Sequence, residues 1–97
     1  MRLDLFLKLS RLVPRRTLAQ QMCEAGAVKL NGSPAKSAHA VRPGDEISIR
    51  QRGRLSTIRV LGVPAKQVSK SAALTLYEIT RVESYDAEVG APDVDPE

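Results

Sequence analysis

Pro14-Arg15-Arg16-Thr17-Leu18-Ala19-Gln20-Gln21-Met22-Cys23-Glu24-Ala25-Gly26-Ala27-Val28-Lys29-Leu30-Asn31-Gly32 changes from a helical period to a strand period without a linker. Pro14 suits the first position of a helix, where the missing N–H is not needed. Leu18, Met22 and Cys23 then share one helical face, and Gly26 stands where a helix stops on a left-handed residue. Val28 and Leu30 alternate with Lys29, and Asn31-Gly32 is a tight-turn pair. The stretch predicts a helix from residue 14 to about 25, a strand, and a hairpin whose short return strand is Pro34-Ala35-Lys36.

Toward the N-terminus, Leu3, Phe6 and Leu7 recur at i, i+3 and i+4 and predict a first helix, joined to the second by residues 10–13. Asp4 falls in its first turn, where an acid suits the positive end of the helix dipole. Helices this short do not survive alone in water, so both must pack on something. Toward the C-terminus, Val41-Arg42-Pro43-Gly44-Asp45 has the Pro and Gly that a type II turn requires. Glu46-Ile47-Ser48-Ile49-Arg50 alternates with period two, and a loop at 51–54 leads to a strand carrying Ile58 and Val60. A short helix is expected over 69–74, and the alternation over 77–82 is expected to close the sheet. The fold class is α+β: two short N-terminal helices packed on a small, mostly antiparallel sheet, then a short C-terminal helix and strand.

The 97 residues amount to one domain, burying roughly 60–65% of the unfolded chain's surface. The formal charge of +4 hides a division along the chain. Residues 1–82 hold all fifteen Lys and Arg against five acids (Asp4, Glu24, Asp45, Glu46, Glu78), a net of +10. Residues 83–97 hold six acids and no cation. The expected organisation is a basic domain over 1–82 and an acidic tail over 83–97 with the composition of a disordered segment. That tail reads as a solvating extension or as an intramolecular competitor for the basic face. The basic part suggests nucleic acid or an anionic membrane surface. One cysteine makes no internal disulfide. The apolar run at residues 3–9 is too short and too charged for a signal segment. No run approaches the ~18 apolar residues of a membrane span. A soluble, cytoplasmic monomer with no membrane partner is expected.

Catalytic groups are scarce. His39 is the only histidine and sits in a loop of small residues without cysteine or carboxylate at ligand spacing. Cys23 lies on the predicted inner face of the second helix and reads as core. Asp45 and Glu46 are adjacent at a strand entry and point to opposite faces. Neither a phosphate-binding loop nor a dinucleotide fingerprint is present. The chain therefore reads as a non-enzyme that needs no cofactor or metal.

Binding fits better. Arg15 and Arg16 at a helix start oppose the dipole, and an anion held there would explain them. Arg11, Arg2 and Lys8 lie near in sequence, and Lys29 and Lys36 on the hairpin extend the footprint. Only Phe6, Tyr77 and Tyr85 are aromatic, which excludes a platform for stacking single-stranded bases. The remaining mode is a rigid basic helix end reading the phosphates and shape of folded RNA.

Arg2-Leu3-Asp4 with Phe6-Leu7, Ser10-Arg11-Leu12, Arg15-Arg16-Thr17-Leu18-Ala19, the run from Gly26 to Gly32, Ala35-Lys36 and Val41-Arg42-Pro43-Gly44-Asp45 resembles the S4 RNA-binding domain over roughly residues 1–60. The chain is most similar to the RqcP family, relatives of heat-shock protein fifteen. The resemblance implies binding to the rRNA of a large ribosomal subunit that carries an obstructed peptidyl-tRNA. It also implies contact with that tRNA, and support for C-terminal tailing of the stalled nascent chain beside a tailing factor that recruits tRNA. It makes Arg2, Asp4 and Arg16 the leading RNA contacts, followed by Arg11 and Arg15. Asp4 reads equally as a helix-start acid or an arginine partner. The pseudouridine-forming and tRNA-charging domains found beside S4 domains elsewhere have no counterpart here. Heat-shock protein fifteen tends to a basic C-terminal extension, whereas this tail is acidic, which favours the RqcP family. The alternatives are a heat-shock-protein-fifteen-like factor that recycles obstructed subunits, a basic module that docks an acidic protein, and a small enzyme.

Overall fold

Leu3, Phe6 and Leu7 are fully buried, and this stripe makes a helix of α1 (Leu3–Leu9) in the computed structural model, which describes residues 1–64 and 68–84. The helix ends on Arg11, whose φ of 66° puts a non-glycine residue in the left-handed region. Its last carbonyls are taken up locally. Phe6 accepts from the Ser10 N–H at 2.8 Å, Leu7 from the Val13 N–H at 3.1 Å and Lys8 from the Arg11 N–H at 3.0 Å. Val13 then drops into the core with no exposure.

The second helix, α2 (Arg16–Glu24), starts two residues later than Pro14. Arg15 is extended (φ −136°, ψ 146°) and serves as the N-cap, its carbonyl accepting the Ala19 N–H at 3.0 Å. Burial of Val13 is the reason. Proline keeps the residue before it extended, so Pro14 and Arg15 are spent in swinging the chain from the core to the helix. Gly26, at φ +78°, closes the other end as expected: its N–H donates to Cys23 and that of Ala27 to Met22.

Four antiparallel pairings follow. β1 (Val28–Leu30), β2 (Ser33–Pro34), β3 (Glu46–Gln51), β4 (Arg54–Val60) and β5 (Tyr77–Ser84) form one sheet in the order β2-β1-β3-β4-β5. The expected α+β class holds, with the sheet antiparallel throughout. Asn31 and Gly32 both have positive φ, the signature of a type I′ hairpin turn. The return strand is shorter than 34–36, because Pro34 has no N–H for the ladder and only a long 3.4 Å bond from Ala35 to Val28 follows it. Gly44 at φ +97° and the Asp45 N–H to Arg42 carbonyl bond of 3.1 Å make the expected type II turn. The 51–54 loop proves to be a second two-residue hairpin turn, Arg52-Gly53, again with both φ positive.

The core lies between the two helices and one face of the sheet: Phe6, Leu3, Leu7, Val13, Ala19, Val28, Ile47 and Ile58 have no exposure. α3 (Lys70–Ala73) is one turn, capped by the Ser69 hydroxyl accepting the Ala72 N–H at 3.1 Å. β5 departs from the expectation its alternation raised. By register Ile79 and Val82 stand beside Ile58 and Ser56 on the core face, yet they are 58% and 51% exposed. α2 packs on β1, across the sheet from β5, and among the described residues leaves that edge uncovered. β5 runs on to Ser84, past the boundary drawn at residue 82; residues 85–97, most of the acidic tail, lie outside the described residues. Among the described residues no helix is long and apolar enough to cross a membrane.

The hairpin turn is tied to the start of β3 through Asn31. Its side-chain oxygen accepts the Glu46 N–H at 2.9 Å, its amide donates to Asp45 at 3.2 Å, and its own N–H donates to the Glu46 carbonyl at 2.7 Å. Asn31→Ala should cost about 1–2 kcal/mol in urea unfolding, losing two side-chain bonds and the residue's tolerance of positive φ. Asn31→Gly, which keeps that conformation, should recover part of the loss. Equal stability of all three proteins would refute this role.

Candidate nucleic-acid interface

The N-terminus of α1 is held by backbone. The Leu3 N–H donates to the His39 carbonyl at 2.8 Å and the Asp4 N–H to Ser37 at 3.1 Å, while Arg2 bridges Ala40. The first-turn N–H groups of Leu3 and Asp4 are therefore occupied, and residues 37–40 press α1 into place. That anchoring carries the Asp4 side chain, with no exposure, beneath the start of α2.

Four donors converge there. Arg2 meets Asp4 with Nε at 3.2 Å from Oδ1 and Nη2 at 3.3 Å from Oδ2. Arg16 places Nε 3.2 Å from Oδ2, and Gln20, one turn on along α2, donates its amide to Oδ2 at 2.8 Å. The Arg2 and Arg16 side chains remain 48% and 42% exposed, so the carboxylate is covered by its own partners rather than by depth. Arg16 binds Asp4 through Nε alone, which leaves its two Nη groups, the fork that suits phosphate oxygens, without a partner among the described residues. Two guanidinium groups against one carboxylate leave the cluster at +1. Burial pushes the Asp4 carboxyl up, but the bonds from Gln20, Arg2 and Arg16, with the Arg16 charge, outweigh it and hold the pKa below the ordinary carboxylate value.

Arg15, exposed at the N-cap of α2, has no carboxylate partner among the described residues, and no acid stands in the first turn of that helix. Neither α1 nor α2 has a side-chain cap. The N–H groups of Arg16, Thr17 and Leu18 find no acceptor among the described residues. The expected basic helix end is thus present, and the negative charge nearest it is the Asp4 carboxylate, which is engaged with the Arg16 and Gln20 side chains rather than with the free N–H groups.

The eight expected contact residues do not form one surface. Arg2, Asp4 and Arg16 meet, and Arg15 adjoins them in the chain. Lys8 and Arg11 line a separate groove at the end of α1. Lys29 points away from the helices, because Val28 and Leu30 are buried and Lys29 pairs with Ser48 on the far face of the sheet. It lines a hollow there with Ser48, Arg50 and Leu55. Lys36 follows β2, beside Cys23 and Glu24. Strand alternation turns Lys29 to the opposite side of the sheet from the helix-end cluster, while Lys36 adjoins Ser37, whose carbonyl accepts the Asp4 N–H. Gln20 was not singled out from sequence, although its i+4 spacing from Arg16 puts the two on one helix face. His39 is exposed and contributes its carbonyl. Cys23 is buried in the core, where burial first, and then the Asp4 and Glu24 charges, push its thiol up. Among the described residues no group of His, Cys, Asp and Glu is placed to hold a metal ion.

Asp4→Asn should lower stability by about 1–3 kcal/mol at pH 7, since the buried site keeps its donors and loses its charge. The folded-state pKa is lowered, so the carboxylate's contribution is complete above the ordinary value and fades as pH falls through the folded one. The gap between wild type and Asp4→Asn in urea midpoint should therefore shrink below about pH 4. A gap unchanged between pH 7 and pH 2.5 would show that the ionised carboxylate is not what holds the arginines.

Comparison with known proteins places this geometry in a family. The S4 domain family matches residues 1–47, which include α1, α2, the hairpin and the Arg2–Asp4–Arg16 cluster. The chain is 47% identical over 83 residues to the RQC P-site tRNA stabilizing factor of Halalkalibacterium halodurans, covering 86% of this chain and 93% of that protein. It is 41% identical over 83 residues to the factor of the same name from Bacillus subtilis, covering 86% and 95%. Among solved structures, the trimeric structure of Vibrio cholerae heat shock protein 15 superposes with a TM-score of 0.78 at 34% identity, over 82% of this chain and 81% of that one. These relatives are named for stabilising tRNA and for heat shock, not for a reaction. The chain belongs to the S4-domain family that includes the RQC P-site tRNA stabilizing factors.

Proposed function

We propose that this chain stabilises the tRNA in the peptidyl site of a large ribosomal subunit whose nascent chain is stalled. In this reading the Arg2 and Arg16 guanidinium groups, with Arg15, bind RNA phosphates, and Asp4 acts from beneath by holding the two arginines in place. The observation that carries it is the fully buried Asp4 carboxylate, which presents arginines from two helices side by side and half exposed. Relatives 47% and 41% identical, named for this task, support it.

In this reading the protein acts by binding, without catalysis: among the described residues the Cys23 thiol is buried in the core with its pKa raised, and His39 is an exposed loop residue whose carbonyl seats α1. Its partners are the rRNA of the large subunit, the peptidyl-tRNA and, in the tailing of the nascent chain, a second factor that brings in tRNA. It works as a monomer in the cytoplasm, one copy on each obstructed subunit. A second reading, recycling of obstructed subunits without tailing, draws on the likeness to heat shock protein 15. Sedimentation separates the two. A tailing role requires the protein to travel with large subunits that carry peptidyl-tRNA, and exclusive association with tRNA-free subunits would contradict it.

The charge placement supplies the sharper test. Arg15→Glu removes an exposed cation and puts an acid at a helix N-cap, so binding to such subunits should fall at least tenfold while Tm is unchanged or raised. Arg16→Glu should fail in both respects, because its carboxylate would face Asp4. If about five phosphates are neutralised, log K for the wild type should fall against log salt with a slope of roughly −3.5 to −4.5, and Arg15→Glu should reduce the slope by about one. Undiminished binding by folded Arg15→Glu at moderate salt would sink the helix-end reading.

A further inference from the structure

Lys8 and Arg11 meet Lys70 across a groove of about 350 Å³ between the end of α1 and the start of α3, lined also by the exposed Pro14 and half-buried Val68 over the buried Leu9 and Val13. No acid lines it, and none of its three cations has a carboxylate partner among the described residues. Cations near a helix C-terminus are ordinarily explained by its exposed carbonyls. Here most of those carbonyls are already engaged. The Phe6, Leu7 and Lys8 carbonyls already accept from Ser10, Val13 and Arg11, and the Ser10 hydroxyl adds a 3.3 Å bond to Leu7. Arg11 also stands at φ 66°, a position that glycine fills without strain, so the chain keeps a long cation where local conformation disfavours one.

Floor and rim point to one class of ligand. Three cations around the opening call for an anion. Pro14 and Val68, the accessible apolar side chains of the lining, call for a flat apolar body, which inorganic phosphate lacks. The volume lies at the small end of ligand pockets, ~300–1,000 Å³, too tight for a duplex and ample for one flat ring system. We propose that this groove receives a single unpaired nucleotide of a structured RNA, its base laid on Pro14 and Val68 and its phosphates on Lys8, Arg11 and Lys70. The floor offers no hydrogen-bonding side chain, so it accepts any base and selects for the nucleotide's being out of its helix. The site goes beyond the proposed tRNA-stabilising role, since it recognises a local RNA shape whichever RNA supplies it.

Fluorescence anisotropy at one fixed salt concentration tests this with three labelled RNA hairpins: fully paired, with one bulged nucleotide, and with the same bulge made abasic. The bulged hairpin should bind the wild type at least tenfold tighter than the other two, with little change when the bulged adenosine is replaced by uridine. Arg11→Gly, which relieves the positive φ and should keep or raise Tm, and Lys70→Ala, at an exposed position, should each erase most of that advantage. Arg15→Glu, outside the groove, should weaken all three hairpins by a similar factor and preserve the advantage. The proposal is overturned if the bulge confers no advantage, if the abasic bulge does as well, or if folded Arg11→Gly retains the preference. Competition by millimolar adenosine monophosphate as effective as that by the bulged RNA would also overturn it, by assigning the groove to a free nucleotide. Loss of the bulge preference with subunit binding intact would leave the tRNA-stabilising reading standing.

Discussion

A carboxylate with no access to water is tolerable only if it is fully bonded, and Asp4 meets that condition through Arg2, Arg16 and Gln20. The requirement reaches far beyond one residue. It ties the start of α1 to the start of α2, helices of seven and nine residues that have little stability of their own. It depends on the 37–40 segment, whose carbonyls seat the first turn of α1. And it converts two flexible side chains into a fixed pair. Without Asp4, the guanidinium groups would repel each other and sample many rotamers. With it they lose that freedom when the protein folds rather than when it binds, which lowers the entropic cost of association. A buried ion pair is a weak source of net stability, so its value here lies in geometry.

The same economy governs the helix ends. Both N-caps are arginines without a capping side chain, and α2 has no acid in its first turn. In most proteins such positions carry Ser, Thr, Asp or Asn, and their absence costs roughly 1 kcal/mol per helix. α1 recovers this through the loop carbonyls; α2 leaves it outstanding. An anion bound at α2 would therefore act as its missing cap. Stability and binding are coupled at this point: the fold is less than optimal alone and improves with its ligand present.

Much of this could be read from the residues. The Asn31-Gly32 hairpin turn, the type II turn at Gly44 and the stop at Gly26 follow from local backbone chemistry and appear where expected. The basic helix start was legible because charge against a dipole is a local conflict. What was not legible depends on tertiary placement. Pro14 marks a helix start only if the chain is free to begin there, and burial of Val13 takes that freedom away. The capping of α1 comes from backbone carbonyls of 37 and 39, which carry no residue signature. Lys29 and Lys36 look alike in sequence, but strand parity sends Lys29 to the far side of the sheet. Asp4 could be read as an RNA contact or an arginine partner, and its bonds from Arg16 and Gln20, twelve and sixteen positions away, exist only in the fold.

The uncovered edge strand has a consequence for how the molecule lives at high concentration. A strand with Ile79 and Val82 half exposed and one side unpaired among the described residues is a template onto which another chain could add and keep adding. β5 carries its own obstacles to that growth. The register slip at Thr57/Ile58, where the Thr80 hydroxyl bonds the Thr57 carbonyl at 3.2 Å, twists the edge away from a flat partner. Glu78, Arg81 and Glu83 alternate in sign along it, engaged with Arg59 and with each other, so an in-register copy would have to break those pairs. The bulge and the charges together work against growth of the sheet through its open edge.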